Sequence, residues 1–184
     1  MSLILLQEPN VDPTKCKEML EKAFANRPYP GDDNIGREGD DDGQDVANYF
    51  KGKDWRQINL ETLLREYQGD SHAAFAVMTP EGARYYLPAF LLMALERDSE
   101  IDDSLMFFLT APDPNDPERG GWFDWVRRRA EGLSADERAA VIYTLRCLAE
   151  RYDRQSLPGY PRNPARKALE SYWDRLDPSH PTMS

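Results

Sequence analysis

The stretch from Thr79 to Glu96, TPEGARYYLPAFLLMALE, constrains this chain more than any other. From Tyr85 to Leu95 no side chain is charged, in a sequence whose charged residues make up 30% of the total. A helix that is apolar on every side has to be buried on every side. The rest of the chain must therefore supply amphipathic segments that cover it. Thr79 is placed to cap this helix, Pro80 to take its first position, and Glu81 to complement its positive end. Pro88 falls in the interior. Having no N–H, it cannot bond the carbonyl of Arg84, and a kink is expected there.

The covering segments read as helices. Asp12-Pro13 opens the first, with Cys16, Met19, Leu20, Ala23 and Phe24 recurring at three- and four-residue spacing. Val46, Ala47 and Phe50 mark a short helix from Gln44. Asn59 caps the next, whose stripe is Leu60, Leu63, Leu64 and Tyr67. Ser71 is expected to cap a short helix through His72, Phe75 and Val77. The apolar run from Asp102 to Leu109 fits a helix or a strand. Ser134 to Glu137 (SADE) is a complete capping box ahead of a long stripe ending near Tyr152. Asn163-Pro164 starts a last helix carrying Leu169, Tyr172, Trp173 and Leu176 on one face. The expectation is an all-α protein, a compact irregular bundle of seven to eight helices around the central helix at 80–96. One domain spans 1–184, with loose ends at 1–11 and 177–184, a loop at 157–161, and an acidic Pro/Gly/Asp loop over 28–43.

The net charge is −10 over 184 residues. That argues against a nucleic-acid partner, which calls for a basic face, and favours a basic protein surface. No run approaches the roughly 20 apolar residues of a membrane span, and Leu3 to Leu6 is too short for a secretory core. Cys16 and Cys147 fall on or beside apolar helix faces with no CxxC spacing. They read as unpaired small hydrophobes in a reduced, cytoplasmic protein.

Between Asp32 and Asp45 seven acids face one base, Arg37. Glu38, Asp40, Asp42 and Gly43 align with the opening of an EF-hand loop. That register puts Tyr49 where the bidentate glutamate belongs, so the match fails. A solvated loop or a docking surface for a cationic protein remains. His72 and His180 are read as structural or surface residues, and Arg127 to Arg129 as a solvated face with one arginine lying over a tryptophan. The glycines are read as turn formers. No cofactor or metal set is predicted.

RPYPGDDNI (Arg27 to Ile35), KDWRQI (Lys53 to Ile58), MTPEGARYYLPAFLLMALE (Met78 to Glu96), LSADERAAVIYTL (Leu133 to Leu145) and ALESYW (Ala168 to Trp173) together carry a resemblance. The chain resembles a bacterial family of compact helical domains of unknown function, over roughly Lys15 to Trp173. The resemblance transfers no catalytic residue, but it singles out the PYPGDDN turn. Two prolines and Gly31 would fix a turn presenting Asp32, Asp33 and Asn34, either to cap a neighbouring helix or to meet a partner. Capping is the favoured of the two. The function expected is a non-enzymatic interaction module, of the immunity or antitoxin kind, that binds a basic partner. The alternative is a metal-dependent enzyme or small-ligand-binding protein. Its site would lie between the acidic loop and the Pro88 kink, with Asp32, Asp33, Asn34, Trp55, Tyr86 and Pro88 as candidate residues.

Overall fold

The structure is a computed structural model and describes residues 12–39, 41–96, 99, 101–155 and 162–177. Eight α-helices follow in order: α1 Pro13–Ala23, α2 Asp41–Phe50, α3 Leu60–Glu66, α4 Pro80–Leu95, α5 Asp102–Leu109, α6 Gly120–Glu131, α7 Ala135–Gln155 and α8 Pro164–Ser171. Short 3-10 turns occupy Asp32–Asn34, Trp55–Gln57 and Trp173–Leu176. The protein is mainly α, as the periodicity implies.

Helix α4 is central. Eleven of its sixteen residues are buried, among them Tyr85, Tyr86, Leu87, Pro88, Phe90 and Met93. Helices α1, α5, α6 and α7 and the Trp55 turn all pack against it. One hydrophobic core runs from Leu20 to Trp173. Both ends of α4 are held by groups from outside it. At the start, Thr79 Oγ1 accepts from the Gly82 amide at 3.0 Å and donates to the Asn34 carbonyl at 2.5 Å. At the end, Arg151 donates to the carbonyls of Ala94 and Glu96 at 2.7 and 3.2 Å and pairs with Asp102 at 2.7 Å. These are the carbonyls a helix leaves without partners of its own.

Five of the expected caps are present, Thr79 among them. Asp12 accepts from the Thr14 amide, Asn59 from Thr62, and Asn163 from Arg166. The SADE box closes, with the Ser134 amide donating to Glu137 and the Glu137 amide to the Ser134 hydroxyl.

Several expectations are corrected. Residues 71–77 form consecutive turns rather than a helix, and Asp70, not Ser71, accepts from the His72 amide. The 102–109 run is helix. The last helix stops at Ser171, because Tyr172 leaves helical geometry at φ −152° before the 3-10 turn. Helix α2 begins at Asp41, so the acids at 41, 42 and 45 lie on a helix and not in an open loop. Asp177 is held by Arg146 at 2.7 Å. The termini 1–11 and 178–184, the loop at 157–161, Asp40 and His180 lie outside the described residues.

The cysteines are also corrected: Cys16 and Cys147 form a disulfide that ties α1 to α7. Helix periodicity shows that each is buried but not that the two faces meet.

Three glycines are approach points rather than turns. Residues 35–37 run beside 77–79, with the Arg37 amide donating to Val77 and the Thr79 amide to Ile35, around one isolated bridge between Gly36 and Met78. This segment is sandwiched between α2 and α4. A Cβ on Gly43 would lie 2.3 Å from the Arg37 carbonyl oxygen, and one on Gly82 would lie 2.5 Å from that of Ile35.

Candidate ligand-binding groove

A groove of about 900 Å³ opens between α5, the 110–119 connection, and the starts of α6 and α8. Its apolar wall is Phe107, Phe108 and Trp122, and its polar rim carries Arg119, Arg162 and Lys167 with Asp103 and Glu118.

The wall follows from the sequence of α5. Leu105, Met106 and Leu109 point into the core. At about 100° per residue Phe107 lies about 200° around the helix from Leu105, so it turns away from the core, whereas Phe108 comes back to within about 60° of Leu105. Phe108 is half-buried, and Phe107 stays 60% exposed, the most exposed large hydrophobic side chain among the described residues. The C-terminal end of α5 is then pinned from two sides. Trp173 Nε1 donates to the Leu109 carbonyl at 3.0 Å, and Trp122 Nε1 to that of Thr110 at 3.3 Å. The Ala111 amide donates to the Ser171 hydroxyl at 3.0 Å.

The connection is ordered by its own aspartates. Asp113 accepts from the Asn115 amide, and Asp116 from the amides of Glu118 and Arg119. These turns deliver Arg119 to the mouth of the groove. On the far side Asn163 caps α8 and anchors it to α7 through the Ala149 carbonyl and Asp153, which sets Lys167 on the rim.

Behind the wall lies a stack. Trp122 and Trp125 are 4.6 Å apart and within 7° of parallel. The Arg129 guanidinium sits 3.3 Å from the centre of the Trp125 ring and donates to the carbonyls of Trp125 and Met78. Arg129 is the arginine expected over a tryptophan, but it is buried instead of solvated. Burial, with Arg84 and Arg37 nearby, pulls it down to about 9.

The sequence-predicted candidates lie elsewhere. Asp32 accepts from the Tyr29 hydroxyl at 2.6 Å and faces Lys51 at 3.6 Å. The Tyr29 bond is the main reason its carboxyl lies below the ordinary value. Tyr29 also accepts from the Gly52 amide and stands edge-on to Tyr85, which in turn meets Tyr86. Tyr86 is fully buried, its hydroxyl 2.8 Å from the carbonyl oxygens of Phe50 and Lys53. Burial, reinforced by Tyr29 and Tyr85, raises that hydroxyl and keeps it neutral. Asn34 bonds the Pro30 carbonyl within its own turn, and Asp33 faces solvent. Trp55 is buried, edge-on to Phe24 and covered by Arg56. Pro88 is buried within α4.

The turn therefore reaches the first turn of α4 at Thr79 and Gly82 through backbone carbonyls. It holds the capping residue Thr79 from behind, its Asn34 and Ile35 carbonyls accepting from the Thr79 hydroxyl and amide, while Thr79 itself caps α4. Among the described residues no group of three or more His, Cys, Asp or Glu is placed to hold a metal ion. No helix among them is long and apolar enough to cross a membrane.

The fold defines an all-helical protein with a single buried central helix and a groove at one end of its bundle. Residues 15–176 match the family of unknown function DUF6714, and the chain belongs to that family. No curated protein and no solved structure matches it.

Proposed function

We propose that this is a binding protein whose working part is the α5–α6–α8 groove, and that the groove seats the aromatic or apolar body of a small organic ligand. The observation that carries this reading is Phe107, 60% exposed beside Phe108 and Trp122 in a groove of ligand size. Solvent-exposed aromatic walls of this kind mark binding surfaces, and sites for small molecules typically span about 300–1,000 Å³. The reading invokes no catalysis.

The test is fluorescence titration with N-phenylnaphthylamine, an uncharged dye that brightens in apolar surroundings. Saturable brightening in the natural protein, lost in Phe107→Ala, is the expected result. Equal brightening in both would remove the groove from consideration. Phe107 touches solvent on most of its surface, so this substitution leaves the core intact.

A second reading keeps the acidic edge as a docking surface for a basic protein of the toxin kind. It is favoured by Asp33, Glu38, Asp41 and Asp45, all exposed around the start of α2. A complex recovered from the native host that dissociates with added salt would support it. The Cys16–Cys147 bond favours a setting where thiols are oxidised, in place of the reducing cytoplasm.

A further inference from the structure

We propose that the ligand of the groove is an organic anion, an aromatic or apolar body carrying one carboxylate, sulfonate or phosphate group. This rests on the groove reading above and adds the chemistry of the ligand's other end.

The chain carries a net charge of −10, yet three cations and two carboxylates line this groove. The excess is positive where the surroundings are negative. Its distribution sharpens the point. Arg162 is already committed to Asp103 at 3.1 Å, and Asp103 also accepts from the Tyr152 hydroxyl at 3.3 Å. Thr110 directs its hydroxyl to the Met106 carbonyl, and Asn163 has its amide on Ala149 and Asp153. Among the described residues the Arg119 guanidinium and the Lys167 ammonium make no ion pair and no side-chain hydrogen bond, although other surface arginines of this chain such as Arg56, Arg65 and Arg127 are paired.

The two unpaired cations come from opposite sides of the groove. Arg119 stands at the start of α6 on a loop set by Asp116, and Lys167 stands in the first turns of a capped helix. Arginine offers a planar fork suited to an acid group, and lysine a point charge beside it. Glu118, on the same rim, disfavours ligands with a large charge cluster. A body on Phe107, Phe108 and Trp122 with an acid group between Arg119 and Lys167 uses the apolar wall and both unpaired cations, and leaves the Glu118 carboxylate to solvent.

The experiment compares two dyes with one skeleton. Anilinonaphthalene sulfonate carries the acid group and N-phenylnaphthylamine lacks it. The natural protein should bind the sulfonate about tenfold more tightly, the scale of one charge-assisted contact. In the Arg119→Ala/Lys167→Ala double variant that preference, read as the ratio of the two affinities, should vanish. High salt should shrink it in the natural protein. Equal affinity for the two dyes, or a preference that survives the double substitution, overturns this inference and leaves the groove reading standing. Failure of both dyes to bind overturns both. Arg119 and Lys167 are exposed, and an unchanged cooperative melt of the double variant verifies that the fold is retained.

Discussion

Arg27 grips Glu137 with two hydrogen bonds, Nε to Oε1 at 2.6 Å and Nη2 to Oε2 at 2.5 Å, across 110 positions of sequence. The Glu137 side chain is 6% exposed and that of Arg27 15%. Arg27 donates as well to the Gly132 carbonyl at 3.0 Å, so one side chain ties the exit of α1 to the start of α7. Removing one member of a buried pair leaves an uncompensated charge. Arg27→Met should cost about 3 kcal/mol in denaturant unfolding. A loss well under 1 kcal/mol would mean that the Ser134 amide suffices for the carboxylate.

The same pair sets an acid limit on stability. Burial by itself would raise the Glu137 carboxyl, but hydrogen bonds from Arg27 and Ser134 outweigh it and hold the group below its ordinary 4.5. A depressed carboxyl adds stability that is present above the unfolded value and lost as pH falls through the folded one. Stability should therefore fall below about pH 4.5. Glu137→Gln should be less stable at pH 7 and show a shallower acid decline. Parallel pH profiles for the two proteins would refute this assignment.

Glycine substitutions should separate by location. Gly82→Ala and Gly43→Ala force a Cβ against main-chain oxygens of Ile35 and Arg37. Overpacking against backbone costs about 1–3 kcal/mol or more. Gly121→Ala has nothing within 4 Å and lies inside α6, where alanine is the better helix former by about 0.5–1 kcal/mol. Thermal melts should move down for the first two and level or up for the third.

The disulfide links positions 131 apart in sequence. Cross-linking over such a span limits the unfolded chain, worth about 5 kcal/mol in the chain-entropy account. Reductant should lower the melting temperature of the oxidised protein and leave Cys16→Ala/Cys147→Ala unmoved. A melting temperature indifferent to reductant would show that the bond adds nothing to stability.

What the sequence determined by itself is local. The caps at Asp12, Asn59, Thr79, Ser134 and Asn163 were readable because donor and acceptor lie two or three residues apart. The burial of α4 was readable because no rotation of an uncharged eleven-residue run exposes a polar face. Phe107 held a usable signal too, since on a helix it lies about 200° from Leu105 and so away from the core.

What only the tertiary structure decided is which faces meet. Cys16 and Cys147 each signalled burial, and the packing of α1 on α7 made them partners. Gly43 and Gly82 carry no local mark of their role, because the backbone that excludes a Cβ arrives from residues 35–37. The groove draws Phe107, Trp122 and Lys167 from three helices and Arg119 from the loop between two of them. Side-chain periodicity fixes how each helix faces the core, but the polar rim is set by where helix ends converge. That convergence comes from long-range bonds such as Trp173 to Leu109 and Ala111 to Ser171, which no short window of sequence contains.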